Sequence, residues 1–230
     1  MKTIGVIGGM SWESTVSYYQ VLNETIRDHL GGLHSGKILL YSVDFSQIEH
    51  YQASGQWEKS AEVLVDAARR LVAGGADFLI IATNTMHKVH SEIQASVNVP
   101  VLHIADLTAN ELEAASINTV GLLGTKYTML EDFYKNRLVE HGFTVLIPEP
   151  VDVDLVNDVI YDQLCLGVIN EDSRHEFQRI INQFAARGAQ GVILGCTEIG
   201  LLIKPEHSQL PVFDTALIHA RSAALASLEE

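Results

Sequence analysis

The chain carries one set of short motifs twice, and that constrains its fold more than any other feature. "TIGVIGGMSWEST" from Thr3 aligns with "TVGLLGTKYTMLE" from Thr119, which puts Gly5 on Gly121 and Gly8 on Gly124. "GGADFLIIATNT" from Gly74 aligns with "RGAQGVILGCTE" from Arg187, which puts Gly75 on Gly188 and Thr83 on Cys196. "PVLHIAD" from Pro100 aligns with "PVFDTA" from Pro211. Three matches in one order, at offsets of 116, 113 and 111, describe a duplicated domain, since a solenoid repeat is far shorter. At 230 residues the chain is long enough to bury two small cores.

Within each copy, short apolar runs alternate with amphipathic stretches. The strand candidates are 3–8, 37–45, 78–83, 99–104, 119–124, 144–148, 191–196 and 211–214. Between them lie helical patterns such as 58–75, where Ala61, Leu64, Val65, Ala68 and Leu71 share one face. Buried strands separated by helices predict an α/β fold with parallel sheets covered on both faces. The expected division is a first domain of 1–103 plus 212–230 and a second of 104–211, with a last helix at 215–228 returning to the first. Ligands of open parallel sheets bind beyond the carboxyl ends of the strands. Duplicated halves facing each other would therefore set the tips at Thr83 and Cys196 on opposite sides of one cleft.

Composition removes several functions. A net charge of −14 argues against nucleic acid, which demands clustered Lys and Arg. No apolar run approaches the ~20 residues that cross a bilayer, and the N-terminus does not read as a signal peptide. Only Cys165 and Cys196 are present, with neither a CxxC nor a Cys/His cluster, so a disulfide scaffold and a zinc site are not expected. The expectation is a reduced, cytoplasmic protein.

Two opposed groups across one small ligand suit a reaction that takes a proton from one face of a carbon and returns one to the other. A thiolate is a workable base, and a helix N-terminus lowers a thiol pKa. "TEIGLLI" after Cys196 reads as the start of a helical turn, which would set the sulfur at a positive helix end. Asn84, Thr85, Thr197 and Glu198 offer donors and acceptors at the same depth. Gly8 and Gly9 lack the third glycine of GxGxxG and the GK[ST] of a P-loop, and read as letting backbone approach a small carboxylate. Met10 then falls at the cleft wall, with Thr125 and Thr128 as the matching positions of the second copy. Lys126 has two readings, a local positive charge or an exposed lysine. His87 also has two, a proton relay above Thr83 or a structural cap, and His103 either orients the Thr83 side or satisfies a buried backbone group. Tyr18, Tyr19, Tyr127 and Trp12 read as helix-packing residues. A lone buried cysteine is more often an inert small hydrophobe; the place of Cys196 in the repeat shifts that balance.

"IGVIGGMSWEST" with its "YY", "SVDF", "TNTMHK", "PVLHIAD", "LLGTKYTM" and "GCTEIGLL" together resemble the cofactor-independent aspartate/glutamate racemases, in that family's order and over essentially the whole chain. The resemblance is strongest to the branch acting on acidic amino acids, some with broader specificity. It implies two Rossmann-like or flavodoxin-like halves related by pseudo-twofold symmetry, with the active site in the cleft between them. It also implies no PLP, no metal, a homodimer, and two cysteines acting as opposed acid and base on an L-Asp, L-Glu or related substrate.

The chain departs from that pattern. Where the family has Cys-Asn-Thr, a small residue and His, this sequence has Thr83-Asn84-Thr85-Met86-His87, while Cys196 matches the second cysteine, the one facing the L-enantiomer. A family Lys that holds the distal carboxylate falls near "YDQLCLG", where Cys165 stands, and the Arg of the "SVDF" loop gives way to Ser46, Gln47 and Gln52. Racemisation between Cys196 and Thr83 is the expected activity. A related isomerase or decarboxylase using Cys196 alone, and an amino-acid-binding protein that has lost catalysis, are the alternatives.

Overall fold

The computed structural model describes residues 1–229, and these form two compact units: Met1–Ile104 with the chain from His219 onward, and Ala105–Ile218. The first unit holds strands β1 (Ile4–Gly8), β2 (Ile38–Ser42), β3 (Phe78–Ile81) and β4 (Val101–Leu102). They form one parallel sheet in the order β2-β1-β3-β4. Its helices are α1 (Trp12–Leu30), α2 (Phe45–Ala53), α3 (Trp57–Ala73) and α4 (His90–Ser96), followed by α5 (Ile104–Ala114), which leads into the second unit.

The second unit repeats the plan. Strands β5 (Thr119–Gly124), β6 (Thr144–Leu146), β7 (Gly191–Gly195) and β8 (Val212–Asp214) form a parallel sheet in the order β6-β5-β7-β8. Its helices are α6 (Lys126–Leu130), α7 (Asp132–Glu140), α8 (Pro150–Asp162), α9 (Glu171–Ala186) and α10 (Ile199–Leu202), and α11 (Thr215–Leu228) carries the chain back. Even the register is kept: Ile7 pairs with Ile81 in one sheet, and their repeat partners Leu123 and Leu194 pair in the other.

Elementary preferences explain the elements. β1 and β7 are central strands buried along their whole length, so they carry continuous apolar sequence rather than alternation. α3 buries Ala61, Leu64, Ala68 and Leu71 at helical spacing, with Val65 half-buried beside them, in a core shared with Ile7, Leu79 and Ile81. The second core gathers Phe177, Ile180, Ile181 and Phe184 of α9 with Val192 and Leu194 of β7 and Val156 and Ile160 of α8. Removing a buried leucine from either core costs about 2–5 kcal/mol.

The structure corrects several expected boundaries. β2 stops at Ser42 because Asp44 turns to cap α2, its side chain accepting from the Ser46 N–H at 3.1 Å. β3 ends at Ile81 because the Thr83 N–H folds back onto the Ile81 carbonyl at 2.8 Å. β4 keeps two residues of the six expected, Val101 and Leu102. The return to the first unit comes at His219 rather than 212, because β8 is hydrogen-bonded to β7 and belongs to the second sheet. Tyr18 packs as expected, but Trp12 is 65% and Tyr19 57% exposed, since they lie on the outer face of α1. Among the described residues no helix is long and apolar enough to cross a membrane.

Candidate functional site

In the first unit, β1 ends in the Gly8–Ser11 turn and β3 ends at Thr83–Thr85. Gly9 has φ +93°, and a Cβ there would fall 2.3 Å from the Val43 carbonyl oxygen. Its N–H donates to the Thr15 hydroxyl at 2.8 Å. The glycine therefore lets the turn pack closely on the segment after β2. Ser11 caps α1, and Met10 is buried in the first core. Thr83, Asn84 and Thr85 are all buried, and Thr85 opens a 3₁₀ turn, Thr85–Val89. Gln52, also buried, donates from Nε2 to the Met86 sulfur at 3.0 Å.

The two readings of His87 are resolved by its partners. The backbone N–H of Ile104 donates to Nε2 at 3.2 Å, so the neutral ring carries its proton on Nδ1 and donates it to the Thr83 carbonyl at 2.8 Å. Both nitrogens are committed to backbone, which is the structural cap. Burial, reinforced by His219 and His90, pushes its pKa well down. His90 likewise donates from Nε2 to the Val101 carbonyl at 2.9 Å, and His219 from Nε2 to that of Leu102 at 3.2 Å while contacting the Tyr18 hydroxyl through Nδ1 at 3.0 Å. His103 packs edge-on against His87 and His90, with ring centres 4.6 and 4.7 Å apart. His90 and His219 brace the short β4, and with His87 and His103 they form a cluster of which the sequence reading named only His87 and His103. Among the described residues no group of three or more His, Cys, Asp and Glu side chains is arranged to hold a metal ion.

In the second unit, β5 runs into α6 through Thr125, whose hydroxyl caps the helix, accepting from the Thr128 N–H at 3.4 Å and lying 3.4 Å from the Thr128 hydroxyl. Lys126 pairs with Asp154 at 2.7 Å. Beyond β7, the buried Cys196 donates from Sγ to Glu198 Oε2 at 3.0 Å, and the Thr197 hydroxyl donates to the same oxygen at 2.6 Å. The backbone N–H of Glu198, in the turn after Cys196, favours the thiolate as expected but is outweighed. α10 has four residues, and burial first, then the Glu198 charge and Cys165, push the thiol pKa well above its ordinary value. Cys196 rests as a thiol bound to a carboxylate.

Sequence reasoning also missed Asp214. Its Oδ1 accepts from the N–H groups of Ala216 and Leu217 at 3.0 and 3.1 Å, capping α11. Its Oδ2 fills the place of a side chain at Gly200, where a Cβ would lie 2.2 Å away. The signal was available, since the repeat puts Asp214 on His103.

Thr83 and Cys196 thus occupy one position of the repeat, two residues past the inner strand β3 and one residue past the inner strand β7. The Asp/Glu/hydantoin racemase family model matches residues 7–223. A candidate Asp/Glu racemase of known structure from Yersinia pestis is 50% identical, with a TM-score of 0.94 and all of both chains covered. An aspartate racemase homologue from Pyrococcus horikoshii is 36% identical, with a TM-score of 0.88 and again full coverage of both. The broad specificity amino-acid racemase RacX of Bacillus subtilis is 22% identical over 95% of each chain. The chain belongs to the Asp/Glu/hydantoin racemase family and is an isomerase built on that family's duplicated α/β fold.

Proposed function

We propose that the protein racemises aspartate, glutamate or a related amino acid by proton transfer, with Cys196 serving one face of the α-carbon and Thr83 the other. The observation that carries this reading is the pair itself: a buried thiol and a buried hydroxyl at the same point of a duplicated fold, in a family of racemases. Each stands where ligands of parallel sheets bind, beyond the carboxyl ends of the strands. The names of the relatives, which include an aspartate racemase homologue and a broad specificity racemase, support both an acidic substrate and some latitude.

Asn84, Thr85 and Thr197 are the first candidates for substrate contacts, with Met10, Gln52, Thr125, Thr128 and Glu198 completing the two tips. A charged group that loses one donor typically costs about 1.5–3 kcal/mol, so Asn84→Ala should lower kcat/KM roughly 10- to 100-fold. The proposed reaction uses neither PLP nor a metal, and the proposed setting is a cytoplasmic homodimer. The test is incubation of purified protein with single L- and D-amino acids, followed by chiral separation. Appearance of the opposite enantiomer of Asp or Glu supports the reading. An altered carbon skeleton would identify a decarboxylase or another isomerase, and no product at all would leave a binding protein. Activity should survive dialysis against a chelator, with no absorbance of bound PLP.

A further inference from the structure

We propose that Glu198 takes the proton of Cys196 and so converts a resting thiol into the base that attacks the substrate. The inference rests on the racemase reading and deepens it. Oε2 of Glu198 receives two donors, Cys196 Sγ at 3.0 Å and Thr197 Oγ1 at 2.6 Å, and the residue is only 5% exposed. Two negative charges this close in a dry site are strongly disfavoured, so the sulfur and the carboxylate hold one charge between them. Burial first, and then the Glu198 charge, make the thiol reluctant to ionise into solvent.

Transfer within the pair avoids that obstacle. As the S–H bond of Cys196 breaks, an O–H bond forms on Glu198, and the buried charge moves from oxygen to sulfur without increasing. The sulfur lone pair then takes the substrate α-proton, and the C–H electron pair passes to the α-carbon and its carboxylate. Cys165, Asp214 and Lys204 are further titratable neighbours within the second unit. Cys165, in the turn Leu164–Leu166, lies near enough to oppose ionisation of Cys196. Asp214 on β8 is held above its ordinary pKa by burial, to which Glu198 adds and which Lys204 and the α11 N–H groups oppose. The thiol proton of Cys196 is directed at the Glu198 carboxylate, 3.0 Å away.

Glu198 acts through Cys196, so the test needs a readout that a merely structural role would not move. The background is Cys165→Ser, which leaves one thiol. Alkylation of Cys196 by iodoacetamide is followed by mass spectrometry between about pH 6 and 11, and exchange of the α-hydrogen of L-glutamate in deuterated water is followed in parallel. Glu198→Gln removes the negative neighbour but keeps an acceptor. The alkylation midpoint should fall to lower pH, while the exchange rate falls by about 10²-fold or more with little change in KM. Glu198→Asp keeps a carboxylate, should recover part of that rate, and stands in if the glutamine variant does not fold. An unshifted midpoint, or exchange in Glu198→Gln as fast as in the parent, would overturn the proposal. If no variant and no parent exchanges any amino acid, the racemase reading fails, while the alkylation midpoints still decide the coupling of the pair.

Discussion

His87 donates from Nδ1 to the Thr83 carbonyl at 2.8 Å while its Nε2 accepts from the Ile104 N–H at 3.2 Å, so one imidazole ties the tip of β3 to the start of α5. The ring holds the backbone of Thr83 and has no nitrogen left for its hydroxyl. His87→Ala should then act on stability. Leaving buried backbone groups without partners costs about 1–3 kcal/mol each, and urea unfolding should show a loss on that scale. A shifted pH–rate profile at unchanged stability would instead mark His87 as a proton relay.

The same histidines make stability depend on pH. Burial depresses His87 well below its ordinary 6.5 and takes His219 down to about 4. A depressed histidine stays neutral in the folded state while the unfolded chain takes up the proton. Its contribution is therefore full above pH 6.5 and is lost as pH falls toward the folded value. Each such histidine gives a slope of up to about 1.4 kcal/mol per pH unit in that window. Denaturation midpoints measured from pH 8 downward should be flat and then fall below about 6.5. His219→Gln, which can still donate to Leu102, should flatten the descent; an unchanged slope would show that other groups cause it.

The two cysteines should separate cleanly. Cys196→Ser replaces the thiol by a far weaker acid and should lower α-hydrogen exchange by about 10²–10⁴-fold. Cys165 is half-buried in the turn after α8 and packs on the second core, so Cys165→Ser should keep most activity. Equal losses from both substitutions, measured as exchange rates, would contradict this assignment.

The architecture was legible because duplication and continuous apolar strands are properties of the sequence itself. All eight strands appear where their apolar runs lie, and the matching of Ile7 with Leu123 and of Ile81 with Leu194 extends to their pairing. The ends were less legible, because they depend on polar details. Asp44 ends one strand by capping a helix, and the β4 carbonyls go to histidines rather than to a longer ladder. The site was legible as positions and less so as chemistry. Sequence order puts Cys196 at a strand tip, but only side-chain geometry shows that its thiol donates to Glu198. Trp12 and Tyr19 were misread because aromatic residues at helical spacing do not say which face they occupy.

The most direct measurement compares α-hydrogen exchange with inversion for L-glutamate and L-aspartate in deuterated water, by proton NMR and chiral chromatography on the same samples. In the proposed mechanism Cys196 removes and returns a proton on its own face, whereas the Thr83 hydroxyl, with both His87 nitrogens bonded to backbone, would deliver slowly from the other. Exchange should outrun inversion in the natural protein, and Thr83→Cys should raise inversion and narrow the gap. Inversion that keeps pace with exchange in the natural protein, together with slower inversion in Thr83→Cys, would contradict the account.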